Sequence, residues 1–198
     1  MEKIRTFIAI ELSQEIRAGL AEIQERLKAQ APPEAVRWVQ PESIHLTLKF
    51  LGEVPAVKME SIRQALERAV GSVAPFSLCC GGLGCFPNPK RPRVIWVGVE
   101  EKTGRLSWMQ QAVEAALSPL GYKPEARPFH PHLTLGRVQS RVGAADLRRL
   151  SELMASAQVG NIGEMEARYI SLMRSDLHPE GAIYTQLAQV NLAKENRL

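Results

Sequence analysis

Hydrophobic residues along this chain alternate between short β-prone runs and longer stripes at helical spacing. "RTFIAIEL" at 5–12 is short, apolar and bounded by charge, which predicts a strand. Residues 14–30 then set Ile16, Leu20, Ile23 and Leu27 at helical spacing with charges between them, behind Ser13 as N-cap. The Pro32-Pro33 pair breaks that helix, and an extended segment, "VRWVQPESIHLTLKFLGEV", follows. A second helix is predicted at about 57–70, with Met59, Ile62, Leu66 and Val70 on its inner stripe.

The second half runs through similar elements: a strand at 93–100, a helix at 103–118, a strand in "HLTLGRV", and a helix at 144–157. The offsets are nearly constant. Phe7 falls 88 residues before Ile95, Ser13 falls 88 before Glu101, and His45 falls 87 before His132. Strand 182–192 repeats the interval, with Ile183 answering Ile95, and extended segments at 75–83 and 167–174 occupy comparable places. Two copies with so long a period do not make a solenoid. The pattern predicts an α+β, internally duplicated bilobal fold: two mainly antiparallel sheets, helices packed outside, and a cleft between lobes. Residues 1–198 form a single bilobal domain on this reading.

Composition narrows the class. The 198 residues are 45% hydrophobic and 23% charged, ordinary for a globular protein. A net charge of +4 suits an anionic partner without demanding one. Cys79, Cys80 and Cys85 are odd in number and crowded together, which argues for buried thiols in a reducing compartment. The first apolar run is too short for a leader or membrane span, so the expected location is the cytoplasm. "GGLGCFPNPKRPR" at 81–93 reads as a loop whose Lys90, Arg91 and Arg93 are either solvated surface or an arm that meets phosphates.

The candidate chemistry lies in "SIHLTLKFLG" and "PHLTLGRV". On a strand, alternate side chains share a face, so His45 and Thr47 point one way, with Lys49 a third candidate for that face. His132 and Thr134 do the same in the second copy. Each imidazole stands about 6 to 7 Å from its hydroxyl along the strand, a spread suited to gripping two oxygens of one phosphate. One His-x-Thr pair is commonplace, but a duplicated core has no structural need to keep it twice. In-line displacement at phosphorus wants a base and an acid on opposite sides, and histidine serves in either role near neutrality. Arg137 adds charge if a bulge at Gly136 turns it to that face. Metal binding by His130 and His132 is the competing use, but the carboxylate-rich cluster of a hydrolytic metal centre is missing. His130 reads as a support for the His132 strand or a pocket-lining residue, and His178 in "DLHPEG" reads as surface.

With "RTFIAIEL", "IHLTLKFLGEV", "RVIWVGVE" and "FHPHLTLGRV" in this order, the chain resembles the two-histidine phosphoesterases. The subgroup it most resembles is the RNA 2′,3′-cyclic phosphodiesterases, formerly called 2′,5′ RNA ligases. The resemblance covers essentially the whole chain. It implies metal-independent opening of a ribose 2′,3′-cyclic phosphate to a 2′-phosphate, no cofactor, and reversible 2′,5′ ligation by the same groups. It implies that His45 is the proton donor, His132 the proton acceptor, and Thr47, Thr134 and Arg137 the phosphate-binding residues. The implied partner is RNA with 2′,3′-cyclic phosphate termini, such as tRNA fragments, or small nucleotides. The expected state is a monomer. Turnover of 2′,5′-oligonucleotides or of small cyclic nucleotides, and a non-catalytic RNA-end-binding module, are the alternatives.

Overall fold

The computed structural model describes residues 2–178 and 181–193, so Pro179 and Glu180 of the "DLHPEG" segment lie outside the described residues. Strand β1 (Lys3–Glu11) leads to helix α1 (Gln14–Lys28), then to β2 (Val36–Trp38) and β3 (His45–Pro55). Helix α2 (Met59–Val70), β4 (Phe76–Phe86), β5 (Val94–Glu100) and α3 (Arg105–Leu117) follow. The chain ends through β6 (His132–Val138), α4 (Ala144–Ser156), β7 (Asn161–Ala167), β8 (Tyr169–His178) and β9 (Gly181–Asn191). Ser13 caps α1, accepting from the Ile16 N–H at 3.4 Å.

All pairing is antiparallel, in the order β7-β4-β5-β6-β3-β1-β8-β9, with β2 on β6. This order is palindromic if β6 exchanges with β3, β5 with β1, β4 with β8, and β7 with β9. The two expected sheets are therefore halves of one curled sheet, joined at the β3–β6 seam by the single register pair Leu46 and Leu133. The lobes are not the two halves of the chain. The first half sends β4 across into the second lobe, and the second half sends β8 and β9 into the first. Helices cross too: α1 packs on β7, while α3 packs on β3. The last strand also departs from expectation. β9 is the hairpin partner of β8 and corresponds to β7, so Ile183 does not answer Ile95.

Helices and the outer sheet face enclose the main core, built on Ile8, Ile10, Leu20, Leu66, Ile95 and Leu133 among others. Among the described residues the inner face holds one small buried apolar group, Phe7, Ala9 and Met173, with Tyr184 against it. The core is thus on the outside of the curl and leaves the inside concave. "GGLGCF" belongs to β4 and not to a loop, so the connection is only 87–93. Cys80 and Cys85 are buried as expected, whereas Cys79 is partly exposed and donates to Glu164 at 3.1 Å.

β3 and β6 share one irregularity. Lys49 and Thr47 oppose the consecutive residues Ile8 and Ala9, which leaves Leu48 as an extra residue. Gly136 and Thr134 likewise oppose Ile95 and Trp96, leaving Leu135 extra. A buried glutamine from the crossing helix reaches each bulge: Gln24 of α1 donates to the Leu135 carbonyl at 2.8 Å, and Gln110 of α3 to that of Leu48 at 3.4 Å. The bulge overturns one expectation. Lys49 does not face the cleft; it is buried on the core side, ion-paired with Glu114 and donating to the Lys123 carbonyl at 2.8 Å.

Removing one member of such a pair strands a buried charge. Glu114→Leu is expected to cost about 3–5 kcal/mol in urea denaturation, and the Lys49→Met/Glu114→Leu double variant should recover most of it. Equal losses in both would contradict the pairing.

Candidate active site

The β3–β6 seam sets the two His-x-Thr pairs side by side. Because the strands are antiparallel about Leu46 and Leu133, the two copies run in opposite directions past each other. His45, Thr47, His132, Thr134 and Arg137 all line one cavity of about 710 Å³ between the lobes. The bulge at Leu135, beside Gly136, turns exposed Arg137 to the His132 face despite the odd spacing. Every residue expected at the site is thus brought together, except Lys49.

Both imidazoles are held by the same device. His45 Nδ1 lies 2.8 Å from the Ser43 carbonyl, and His132 Nδ1 lies 2.6 Å from the His130 carbonyl. A carbonyl only accepts, so Nδ1 carries the proton in each ring and Nε2 is the atom left to exchange one. The ring faces are fixed by aromatics. Phe7 stacks on His45 at 4.6 Å with Tyr184 edge-on at 5.0 Å, and Phe86 meets His132 edge-on at 5.0 Å. Trp96 stands 6.2 Å from His132 and covers β4 at Gly84, where a Cβ would lie 2.2 Å from the indole. Only glycine leaves that ring room.

Electrostatics separate the two copies. Burial lowers the pKa of both imidazoles below the ordinary histidine value. Against that, the Ser43 bond and then the Glu11 carboxylate raise the proton affinity of His45, while the charge of His132 lowers it. Glu11 is the register partner of His45 and accepts from Ser171 and Gln186. In β5 the register partner of His132 is the uncharged Gly98. His132 gains from its carbonyl bond but is opposed by His130 and Arg137.

His130 is exposed, its ring 5.6 Å from Phe86 and 5.7 Å from Trp96, and its carbonyl does the supporting expected of that residue. His178 is exposed as expected, yet it stands on the cavity wall. Among the described residues no three His, Cys, Asp or Glu side chains gather to hold a metal ion, and no helix is long and apolar enough to cross a membrane. Phe7, Phe50, Tyr184, Trp38, Arg5 and Arg37 also line the cavity and were not singled out from the sequence. Phe7 was concealed in an apolar run whose two faces read alike. Tyr184 reaches the site only through the exchange of β8 and β9 into the first lobe.

A family model described as LigT-like phosphoesterase matches residues 10–96 and again residues 97–184. The chain belongs to this LigT-like phosphoesterase family. A relative from Methanothermobacter thermautotrophicus named RNA 2′,3′-cyclic phosphodiesterase is 36% identical over 93% of this chain and 97% of its own. One of the same name from Aquifex aeolicus is 31% identical over 97% and 99%. Among solved structures, TT0787 of Thermus thermophilus aligns with a TM-score of 0.78 and 30% identity, covering 97% of this chain and all of that one. Escherichia coli LigT complexed with 3′-AMP gives 0.75 and 28%, covering 96% and 99%. These LigT-like structures share the two-lobed architecture.

A folded pKa below the unfolded value means that the unfolded chain binds more protons between the two. Stability contributed by neutral His45 and His132 is therefore present above the unfolded pKa near 6.5 and is lost as pH falls through the folded values. NMR titration of both rings should give midpoints below 6.5. Midpoints at or above it would refute the burial argument.

Proposed function

We propose that this LigT-like phosphoesterase hydrolyses RNA 2′,3′-cyclic phosphate ends to a 2′-phosphate by histidine acid–base catalysis. The observation that carries this reading is the meeting of two His-x-Thr pairs across the β3–β6 seam in one cavity. The names of the curated relatives agree with it.

On this reading the cyclic phosphate sits between the lobes, with Thr47 and Thr134 donating hydroxyl hydrogen bonds to its non-bridging oxygens and Arg137 offsetting charge that builds there. His132 Nε2 takes a proton from water, whose oxygen forms the new bond to phosphorus. The P–O3′ bond breaks in line with it, and His45 Nε2 gives its proton to the departing 3′ oxygen. Glu11 beside His45, against His130 and Arg137 beside His132, favours the first ring as donor and the second as acceptor. No step calls on a metal. By microscopic reversibility the same groups join a cyclic end to a hydroxyl in a 2′,5′ linkage, and an excess of water favours hydrolysis.

A cyclic-phosphate-ended oligoribonucleotide should be opened at an undiminished rate in EDTA, and loss of turnover on chelation would overturn the metal-free mechanism. His45→Ala and His132→Ala should each lower kcat by about 10² or more. A near-normal rate in either would remove that residue from the mechanism.

The pH dependence has a sign. Rate falls at low pH as the acceptor gains a proton and at high pH as the donor loses one. With both values lowered by burial, the bell of kcat/KM should centre below about 6.5. A centre on the alkaline side would contradict the assignment.

A further inference from the structure

Packing alone does not account for one buried side chain. Gln24 is wholly enclosed and shares the buried face of α1 with Ile16, Leu20, Ile23 and Leu27. Both hydrogens of its amide are committed to carbonyl oxygens, that of Val39 at 2.7 Å and that of Leu135 at 2.8 Å. Two acceptors on one side fix the orientation of the amide, because only its nitrogen donates. The amide oxygen is thereby left buried with no partner among the described residues. An unpaired buried acceptor is costly, so an apolar residue of the same size would serve packing better, and the two donated bonds are what the glutamine supplies.

The two carbonyls lead to different parts of the site. Leu135 is the extra residue of the β6 bulge, and its carbonyl also accepts from the Val39 N–H at 2.9 Å. Two residues on is Arg137, whose place on the cavity wall depends on that bulge. Val39 directly follows β2 and opens the connection to β3. There the Ser43 N–H donates to the Gln40 carbonyl at 2.8 Å and the Ile44 N–H to that of Pro41 at 3.2 Å, winding Pro41–Ser43 into a single 3-10 turn. At its end the Ser43 carbonyl holds His45 Nδ1 at 2.8 Å. Gln24 itself is not on the cavity wall. The bulge on β3 has no such double tie: one Gln110 bond goes to the Leu48 carbonyl at 3.4 Å and another to Glu114, on its own helix, at 3.2 Å.

We propose that Gln24 is a positioning residue of the site, its one amide setting both the aim of Arg137 and the place of the Ser43 carbonyl that orients His45. The inference rests on the cyclic phosphodiesterase reading for its effect on rate. Arg137 comes from the second half of the chain and His45 from the first, and the bulge and the 3-10 turn that carry them are separate pieces of backbone. Gln24 bonds to both and so fixes their separation. A displacement of about 1 Å between groups that must meet one phosphate is enough to cost about 10² in rate.

The test is Gln24→Met, which keeps the length of the side chain and removes both donors. Its kcat/KM on a cyclic-phosphate-ended oligoribonucleotide should fall by about tenfold to 10²-fold. In an Arg137→Ala background the same change should cost distinctly less, because the arginine it aims is gone. Nitrogen-15 NMR of the neutral imidazoles should show His45 passing from the Nδ1–H tautomer to a mixture, with His132 unchanged, since its ring is held by the His130 carbonyl. A residue that serves stability alone would lower activity equally in both backgrounds and leave the tautomer as it was. An equal loss in both backgrounds, an unmoved His45 tautomer, or a wild-type kcat/KM would each overturn the proposal.

Two measurements stand apart from turnover. If wild type opens no cyclic-phosphate end, the proposed activity fails, and calorimetric binding of inorganic phosphate then judges the clamp together with the imidazole spectra. Gln24→Met should weaken phosphate binding in wild type and leave it unchanged in Arg137→Ala; equal weakening in both would overturn the positioning role. If Gln24→Met does not fold, wild type answers instead. The Gln24 side-chain amide protons should exchange with solvent more slowly when phosphate fills the cavity, and exchange indifferent to phosphate would overturn the coupling.

Discussion

One backbone pair, Leu46 with Leu133, holds the two half-sheets together at the cleft, and the arrangement of the site follows from it. Both leucines point into the core and are almost wholly buried, so the seam is tied down by packing from behind. On its other face the antiparallel geometry puts each imidazole next to the partner copy's threonine. Leu46 with Leu133 is the one register pair between β3 and β6 among the described residues, and the cavity lies between the lobes over it.

The bulges at Leu48 and Leu135 build outward from the seam. An extra residue inverts the alternation, so the side chain two beyond the threonine goes into the core and the one three beyond it returns to the cleft. In the second copy Gly136 takes the inward place, where β2 packs so closely that a Cβ would lie 2.6 Å from Val36. In the first copy Lys49 takes it and needs Glu114 to be tolerated there. Phe50 and Arg137 are thereby turned outward into the same cavity with different chemistry. A nearly symmetric scaffold thus presents a polar, cationic end and an aromatic end.

The exchange of strands and helices explains why the halves cannot act apart. The first lobe's sheet is completed by β8 and β9 from the second half and the second lobe's by β4 from the first, and each half's first helix covers the other lobe's sheet. Gln24 and Gln110 carry this tie down to hydrogen bonds, each running from a crossing helix to the bulge carbonyl of the opposite lobe. Two half-sites are held in register by the same core that stabilises the fold.

The spacing of apolar residues located the four helices to within a few residues, because a helix buries a stripe wherever its partner lies. The duplicated histidine and threonine were legible for a similar reason, since alternation on a strand assigns a face without knowledge of the neighbour. Arg137 was legible only conditionally, and Lys49 was misplaced, because a bulge is defined by two strands and neither sequence segment shows it alone. Phe7 and Tyr184 were missed because an apolar run does not say which of its residues faces a cleft. By itself, then, the sequence determined two copies of a polar pair on otherwise apolar strands. Tertiary structure decided which strands meet and which side chains the bulges turn inward, since hydrophobic periodicity records burial but not the identity of the partner.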